Sequence, residues 1–139
     1  MAFQIPIRVY IEDTDAGGIV FYANYLKFFE RARTDFLRSL GIAQSVTIAE
    51  NLIFVVRRAE IEYCAPARLD DLLNVSCRLT EFRRTRIGFT QEAIREDTGE
   101  ILVKAEVEVV CVRMDTLKPK MMPKGIVSEL EKNIEGQNV

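Results

Sequence analysis

The sequence contains no histidine and no tryptophan, and it has only three cysteines. The absence of histidine removes the usual general base at neutral pH, the Ser-His and Cys-His catalytic pairs, and most zinc and iron sites. Any catalytic chemistry near neutral pH is therefore expected to depend on carboxylates. No metal site and no cofactor are predicted.

The three cysteines are odd in number and too widely spaced for a zinc motif or a disulfide framework. Cys64, Cys77 and Cys111 each lie in an apolar, strand-like run. We expect all three to be buried, reduced thiols, which is typical of a cytoplasmic protein.

Long apolar runs and strong net charge are also missing. No stretch is long enough for a membrane helix, and the first eleven residues read as a strand rather than as a basic-then-apolar leader. The net charge is −2, so we expect no nucleic-acid partner and no membrane insertion. Binding of an anion would have to come from a local basic cluster.

The hydrophobic periodicity predicts one strand, one long helix and then four strands, in a single domain over residues 1–134. Alternation over residues 4–11 indicates the first strand. Residues 24–40 are expected to form an amphipathic helix, with Asn24 as its N-cap and Gly41 at its end. Its apolar stripe consists of Tyr25, Phe28, Phe29, Ala32, Phe36 and Leu40.

The second half of the chain reads mainly as strands. A short helical turn is expected within residues 42–50, a C-terminal helix over 125–132 and a frayed polar tail over 135–139. The strands are predicted at residues 53–63, 72–82, 87–95 and 101–111, with a hairpin turn at 97–100. Such a set favours an α+β domain in which a five-stranded antiparallel sheet wraps around the long helix.

The most informative segment lies between the first strand and the helix. It holds two carboxylates, Asp13 and Asp15, followed by Gly17 and Gly18. A loop that enters a helix offers free backbone N–H groups and a partial positive charge, so a carboxylate there is a candidate nucleophile or general base. The simpler interpretation is a turn, since Asp and Gly favour turns for backbone reasons alone.

Across nearly its whole length the chain resembles the hotdog-fold acyl-CoA thioesterases of the 4-hydroxybenzoyl-CoA thioesterase type. It is most similar to the bacterial branch associated with the Tol-Pal system. The likeness is carried, in order, by VYIEDTDAGGIV (9–20), NYL (24–26), FERAR (29–33), FVVR (54–57), YCAPARLDD (63–71), VVCV (109–112) and MPK (122–124).

The resemblance implies that Asp15 is the catalytic carboxylate, acting as nucleophile or as base for water. It implies that the backbone N–H near Tyr22 polarises the thioester carbonyl, with Gly18 in the loop that the thioester approaches closely. Asp13 is expected to orient the loop or to accept backbone N–H groups. Tyr25 is expected mainly to pack, and it is also a candidate contact for the substrate.

The resemblance also implies a partner for the nucleotide part of CoA. Arg83 and Arg84 match two adjacent arginines that hold CoA phosphates in the 4-hydroxybenzoyl relatives, although a basic cluster of this kind is equally typical of a solvated turn. The family further implies a dimer with a continuous sheet and active sites at the subunit interface, often paired into a tetramer. We expect a homotetramer.

One position departs from the branch that the chain otherwise resembles. The Tol-Pal branch usually carries a histidine where this chain has Tyr22, so a histidine-assisted step is excluded here and the acyl preference stays open. The leading hypothesis is an acyl-CoA thioesterase. A hydratase or dehydratase acting on acyl thioesters would need a histidine, and a non-catalytic module that binds acyl-CoA or acyl carrier protein is the remaining alternative.

Overall fold

The chain folds into a single five-stranded antiparallel sheet that packs against one long helix. The structure is a computed structural model that describes residues 3–137, with side-chain surroundings described through residue 134. Its elements are β1 (Phe3–Arg8), α1 (Tyr25–Ser39), α2 (Gln44–Ala49), β2 (Leu52–Tyr63), β3 (Leu72–Phe82), β4 (Arg86–Arg95), β5 (Ile101–Arg113) and α3 (Lys124–Gln137). The predicted α+β hotdog architecture is confirmed.

The strands are arranged in the order β1-β3-β4-β5-β2, and every neighbouring pair is antiparallel. The two edge strands differ in length and composition. β1 has six residues and includes Pro6, which cannot donate to a further strand. β2 has twelve residues and no proline, so it presents the longer open edge.

The core lies between the inner face of the sheet and the apolar stripe of α1. Phe28, Phe29 and Ala32 are completely buried, and Phe36 is nearly so. They pack against the inward-facing residues of the sheet, which include Val75, Cys77, Leu79, Phe89, Ala93, Val103, Ala105, Val107 and Val109. Burial of this stripe is the main reason that α1 forms, because an isolated helix of its length is marginal in water.

The ends of α1 show one correct and one wrong prediction. Gly41 follows the helix with φ +82° and donates its N–H to the Arg38 carbonyl, so it ends the helix as expected. Asn24 is not a side-chain cap. Its backbone is already helical, and its side-chain amide donates instead to Asp13. A 3-10 turn over Tyr22–Asn24 leads into the helix.

Three further expectations are corrected or extended by the structure. β1 ends at Arg8 and a 3-10 turn follows, which leaves Ile11 78% exposed rather than on an inward face. Cys64 is exposed, although Cys77 and Cys111 are buried and all three are free thiols. α3 continues through Gln137, beyond the predicted end of the C-terminal helix.

The remaining boundaries agree with the sequence patterns. The short helical turn is α2, and the turn between β4 and β5 contains Gly99 at φ +74°. Of the predicted tail over 135–139, the last two residues lie outside the described part of the chain, so its fraying stays a prediction. No helix among residues 3–137 is long and apolar enough to cross a membrane.

Candidate active site

The two aspartates before the helix belong to one tightly bonded loop. After the 3-10 turn at Ile11–Asp13, the chain reverses so that Thr14 pairs with Val20. The Asp15 N–H donates to the Ile19 carbonyl at 2.9 Å, and the Gly18 N–H donates to the Asp15 carbonyl at 3.1 Å. Gly18 has φ +77°, a conformation that favours glycine, so the turn depends on this residue type.

The Asp13 side chain is buried, and each of its carboxylate oxygens accepts a hydrogen bond. Only 7% of it is exposed. Its Oδ2 accepts the Tyr10 N–H at 2.9 Å, and its Oδ1 accepts the Asn24 side-chain amide at 2.9 Å. These two bonds join the loop to the start of the helix, so Asp13 orients the loop and is not presented to a ligand.

Asp15 has the opposite environment. It is exposed, and its Oδ1 accepts the Gly17 N–H at 2.8 Å. Within the described part of the chain its side chain makes no other hydrogen bond and no ion pair. The carboxylate is therefore oriented by the turn and remains open to a reactant.

The loop lies on the connection between β2 and β3. The Val20 N–H donates to the Ala67 carbonyl at 2.9 Å, and the Leu69 N–H donates to the Gly18 carbonyl at 3.2 Å. These bonds place Asp15 at the end of the sheet where β3 begins and β2 ends.

Within residues 3–137, the entrance of the helix carries backbone N–H groups that no hydrogen bond occupies, next to an aromatic cluster. The N–H groups of Tyr22 and Ala23 lie in the first turn, where no preceding helical carbonyl accepts them. The Tyr63 hydroxyl donates to the Tyr22 carbonyl at 3.0 Å, and the two rings are 6.3 Å apart. Tyr63 is a part of the site that sequence reasoning missed, because it is 41 residues away along the chain.

Tyr25 is only 2% exposed, so its ring offers little surface to a ligand. Its hydroxyl accepts the Ala67 N–H at 3.1 Å, and its ring packs against Phe28 and Tyr63. Burial raises the pKa of its hydroxyl. These contacts favour the packing interpretation of Tyr25.

The structure does not bring Arg83 and Arg84 to this loop. They follow β3, whereas the Asp15 loop lies where β3 begins. The eleven residues of β3, at about 3.3 Å each, give a path of roughly 36 Å along the strand between the two places. Both arginines are exposed, and the Arg84 carbonyl accepts the Met122 N–H at 2.9 Å.

A pocket of about 450 Å³ opens between α1, α2 and the inner face of the sheet near the β2 edge. Its walls include Phe54 and Val56 of β2, Phe89 of β4 and Val109 of β5. Arg33 and Glu30 of α1 supply charged groups. The pocket lies toward the Leu52 end of β2, whereas the helix entrance lies at the Tyr63 end.

Comparison with known proteins identifies relatives over nearly the whole chain. Residues 9–130 match the model of the thioesterase-like superfamily. The chain is 47% identical to the acyl-CoA thioester hydrolase YbgC of Escherichia coli, over 93% of this chain and 96% of that protein. It is 46% identical to the acyl-CoA thioesterase YbgC of Haemophilus influenzae, over 89% and 90%. A probable thioesterase from Bartonella henselae has the same fold, with a TM-score of 0.81 and 34% identity over 88% of this chain and all of that one.

Proposed function

This chain belongs to the thioesterase-like superfamily and is an acyl-CoA thioester hydrolase, and we propose that Asp15 is its catalytic carboxylate. The observation that carries this proposal is the contrast between the two loop aspartates. Asp13 is buried and both of its carboxylate oxygens accept hydrogen bonds, whereas Asp15 is exposed in the loop that leads to the helix entrance, and its carboxylate accepts only the Gly17 N–H among the described residues.

In the proposed reaction the thioester carbonyl oxygen accepts the N–H groups of Tyr22 and Ala23. The fifteen-residue helix that follows adds its partial positive charge, which stabilises the negative charge that develops on this oxygen. Asp15 then either attacks the carbonyl carbon or removes a proton from a water molecule that attacks it. In both routes the carbon–sulfur bond breaks and CoA leaves as the thiol. Neither route requires a metal or a redox cofactor.

The two routes differ in what is formed on the enzyme. Attack by Asp15 forms a mixed anhydride, which water must hydrolyse to free the carboxylate. Attack by water forms the acid directly, and Asp15 holds the proton that passes to the thiolate. Both routes need an accessible carboxylate, and the exposure of Asp15 supports this requirement.

We also propose that two copies pair along their β2 edges to form one continuous sheet. β1 is short and blunted by Pro6, whereas β2 leaves twelve residues unpaired on its outer side. Antiparallel pairing of β2 with its copy sets the Tyr63 end of one strand beside the Leu52 end of the other. The helix entrance of one copy then faces the pocket of its partner, so each site would contain residues of both copies.

The pairing proposal predicts that the protein is at least a dimer at micromolar concentration, and most simply a tetramer of two dimers. The exposed apolar side chains of β2 and of the helix entrance would become covered in the assembly; they are Val55, Val56, Phe21, Tyr22 and Leu26. Light scattering at several concentrations measures the mass directly. A monomer with full activity would contradict both the assembly and the shared site.

Arg83 and Arg84 are proposed to hold the phosphates of CoA, since exposed guanidinium groups bind phosphate through paired hydrogen bonds. Because β3 keeps them far from Asp15 of the same chain, the pair would serve a site completed by another copy.

Replacing both Arg83 and Arg84 by Ala is expected to raise KM for acyl-CoA more than it lowers kcat. An anchor far from the carbonyl binds the ground state and the transition state alike. The wild-type KM should also rise with salt, because exposed charges are screened. Steady-state kinetics at two salt concentrations check both effects. Wild-type kinetics in the double variant would show that the pair is only a solvated turn.

A thiol-release assay with a small panel of acyl-CoAs tests the proposed function as a whole. Release of CoA is expected from the wild-type enzyme, whereas a non-catalytic module that binds acyl-CoA or acyl carrier protein would bind without releasing thiol. A hydratase or dehydratase would change the acyl group and leave the thioester intact.

We propose that the enzyme acts in the cytoplasm, a reducing compartment that suits its three free cysteines.

A further inference from the structure

Arg33 is an unusual cation because it lies between α1 and the sheet. Its side chain is partly buried, and its Nη1 donates to Gln91 Oε1 at 3.0 Å. Gln91 is completely buried, and its amide nitrogen donates to the Phe29 carbonyl at 2.9 Å and the Ser76 carbonyl at 3.3 Å. Gln91 is therefore held by both α1 and β3, and it fixes the position of the Arg33 guanidinium.

Arg33 has no ion-pair partner among the described residues. Two acidic groups act on it electrostatically, the buried Cys77 thiol of β3 and, more weakly, the exposed Glu30 one turn earlier on the helix, and neither forms an ion pair with it. Burial lowers the pKa of the guanidinium, but an arginine does not lose its proton in a protein. A partly buried charge without a close counter-ion lowers the stability of the fold.

Arg33 lines the pocket and keeps guanidinium donors that Gln91 does not use. A guanidinium has five N–H donors, and Gln91 accepts from only one of its nitrogens. No side-chain nitrogen of the described residues is both fully buried and unbonded, so the remaining nitrogens of Arg33 are accessible. Arg33 is part of the pocket wall together with the apolar residues Phe54, Val56, Phe89 and Val109.

We propose that Arg33 selects acyl groups that end in a carboxylate, which it would bind through the donors that Gln91 leaves unused. This inference rests on the proposed function, in which the pocket of one copy receives the acyl group whose thioester lies at the helix entrance of the other. The apolar walls would hold the methylene carbons of such an acyl group. The substrate class is then the monothioesters of dicarboxylic acids.

A carboxylate fits this place better than a hydroxyl group. The planar guanidinium matches the two oxygens of a carboxylate with parallel hydrogen bonds, and the opposite charges compensate each other. A hydroxyl group would accept one bond and leave the cation without a counter-ion. Glu30 is exposed to water, so its repulsion of a substrate carboxylate is weakened by the solvent.

The first test compares acyl-CoAs of equal carbon count with the wild-type enzyme. Glutaryl-CoA, 5-hydroxypentanoyl-CoA and pentanoyl-CoA differ only in the far end of the acyl group. The expected order of kcat/KM is glutaryl first, with at least a roughly 10-fold advantage over pentanoyl, the size typical of a hydrogen bond to a charged group. Equal rates, or a preference for the hydroxyl or methyl end, would overturn the proposal.

The second test removes the charge. Arg33→Met is expected to reduce the glutaryl-to-pentanoyl ratio by roughly 10- to 100-fold. Arg33→Lys keeps the charge without the planar fork and should lose part of this ratio. Because the ratio is measured within one preparation, it does not depend on the fraction of enzyme that is folded. If Arg33→Met does not fold, Arg33→Lys and the wild-type comparison still decide the question.

Arg38→Met is the matched control, since Arg38 lies on the same helix but is exposed and paired with Asp35. The glutaryl-to-pentanoyl ratio of Arg38→Met should equal that of the wild type. An equal fall of this ratio in Arg38→Met and Arg33→Met would mean that the effect comes only from net charge. An unchanged ratio in Arg33→Met, together with an inactive Asp15→Asn variant, would reject the role of Arg33 and leave the proposed function intact. Full activity of Asp15→Asn would reject Asp15 as the catalytic carboxylate, and a wild-type protein that releases no thiol from any of these acyl-CoAs would reject the proposed function itself.

Discussion

Asp15→Asn is expected to reduce kcat for acyl-CoA hydrolysis by a factor on the order of 10²–10⁴, the usual contribution of a positioned base or nucleophile. The amide has almost the shape of the carboxylate, and its Oδ1 can still accept the Gly17 N–H that orients the side chain. It can neither attack the carbonyl nor take a proton from water. The fold, the assembly and the melting temperature should therefore stay as in the wild type.

The measurement is thiol release at saturating acyl-CoA, with thermal melting of the same preparation. Glu12→Gln is the control, since Glu12 is an exposed carboxylate in the same loop and its loss should leave turnover unchanged. An Asp15→Asn enzyme that keeps most of its turnover would contradict the mechanism. The search would then move to Glu12 and Asp13.

Asp13→Asn is expected to show the reverse pattern, with a clear loss of stability and a smaller loss of kcat than Asp15→Asn. The Asp13 carboxylate accepts two donors in a buried place, the Tyr10 N–H and the Asn24 amide. An asparagine has only one acceptor oxygen, so one donor would face an NH₂ group and remain unpaired. A buried donor without a partner lowers the free energy of unfolding by about 1–3 kcal/mol.

Urea or thermal unfolding at fixed protein concentration measures this loss, because the stability of an oligomer depends on concentration. Asp35→Asn is a suitable control, since Asp35 forms only an exposed ion pair with Arg38 and its replacement should change stability little. Wild-type stability in Asp13→Asn would show that the loop does not depend on this pair of bonds. If Asp13→Asn lost more kcat than Asp15→Asn, Asp13 would be the catalytic carboxylate and Asp15 would support the loop.

The elements that depend on local patterns were predictable from the sequence. The alternating runs that became β2 to β5, the stripe of α1 and the turn at Gly99 were all expected near their observed places. Prediction failed where a tertiary contact competed with a local preference. Asn24 is a good capping residue, but a buried Asp13 oxygen lies within its reach and takes its side-chain amide.

The candidate site was predictable only in part, because its residues do not share one local pattern. The motif placed Asp13 and Asp15 two residues apart before the helix, and Asp13 was expected to orient the loop, but two residues of the same type carry no local signal about which one is buried. The Tyr63 hydroxyl donates a hydrogen bond to the Tyr22 carbonyl at the helix entrance, 41 residues away in the sequence, and no periodicity indicates such a contact. The placement of Arg83 and Arg84 at the other end of β3 likewise depends on strand direction.

The main helices and strands, the two-layer class and the loop that carries the carboxylates were predictable, because they follow from the spacing of apolar residues and from turn chemistry. The strand order, with β2 at an open edge and β1 blunted by Pro6, depends on long-range strand pairing and required the folded structure. The tertiary structure also established that Asp13 is buried while Asp15 is exposed, and that Arg33 lines a pocket. These features depend on burial and on contacts with residues far away in the chain. Their free-energy contributions arise only when the whole fold has formed.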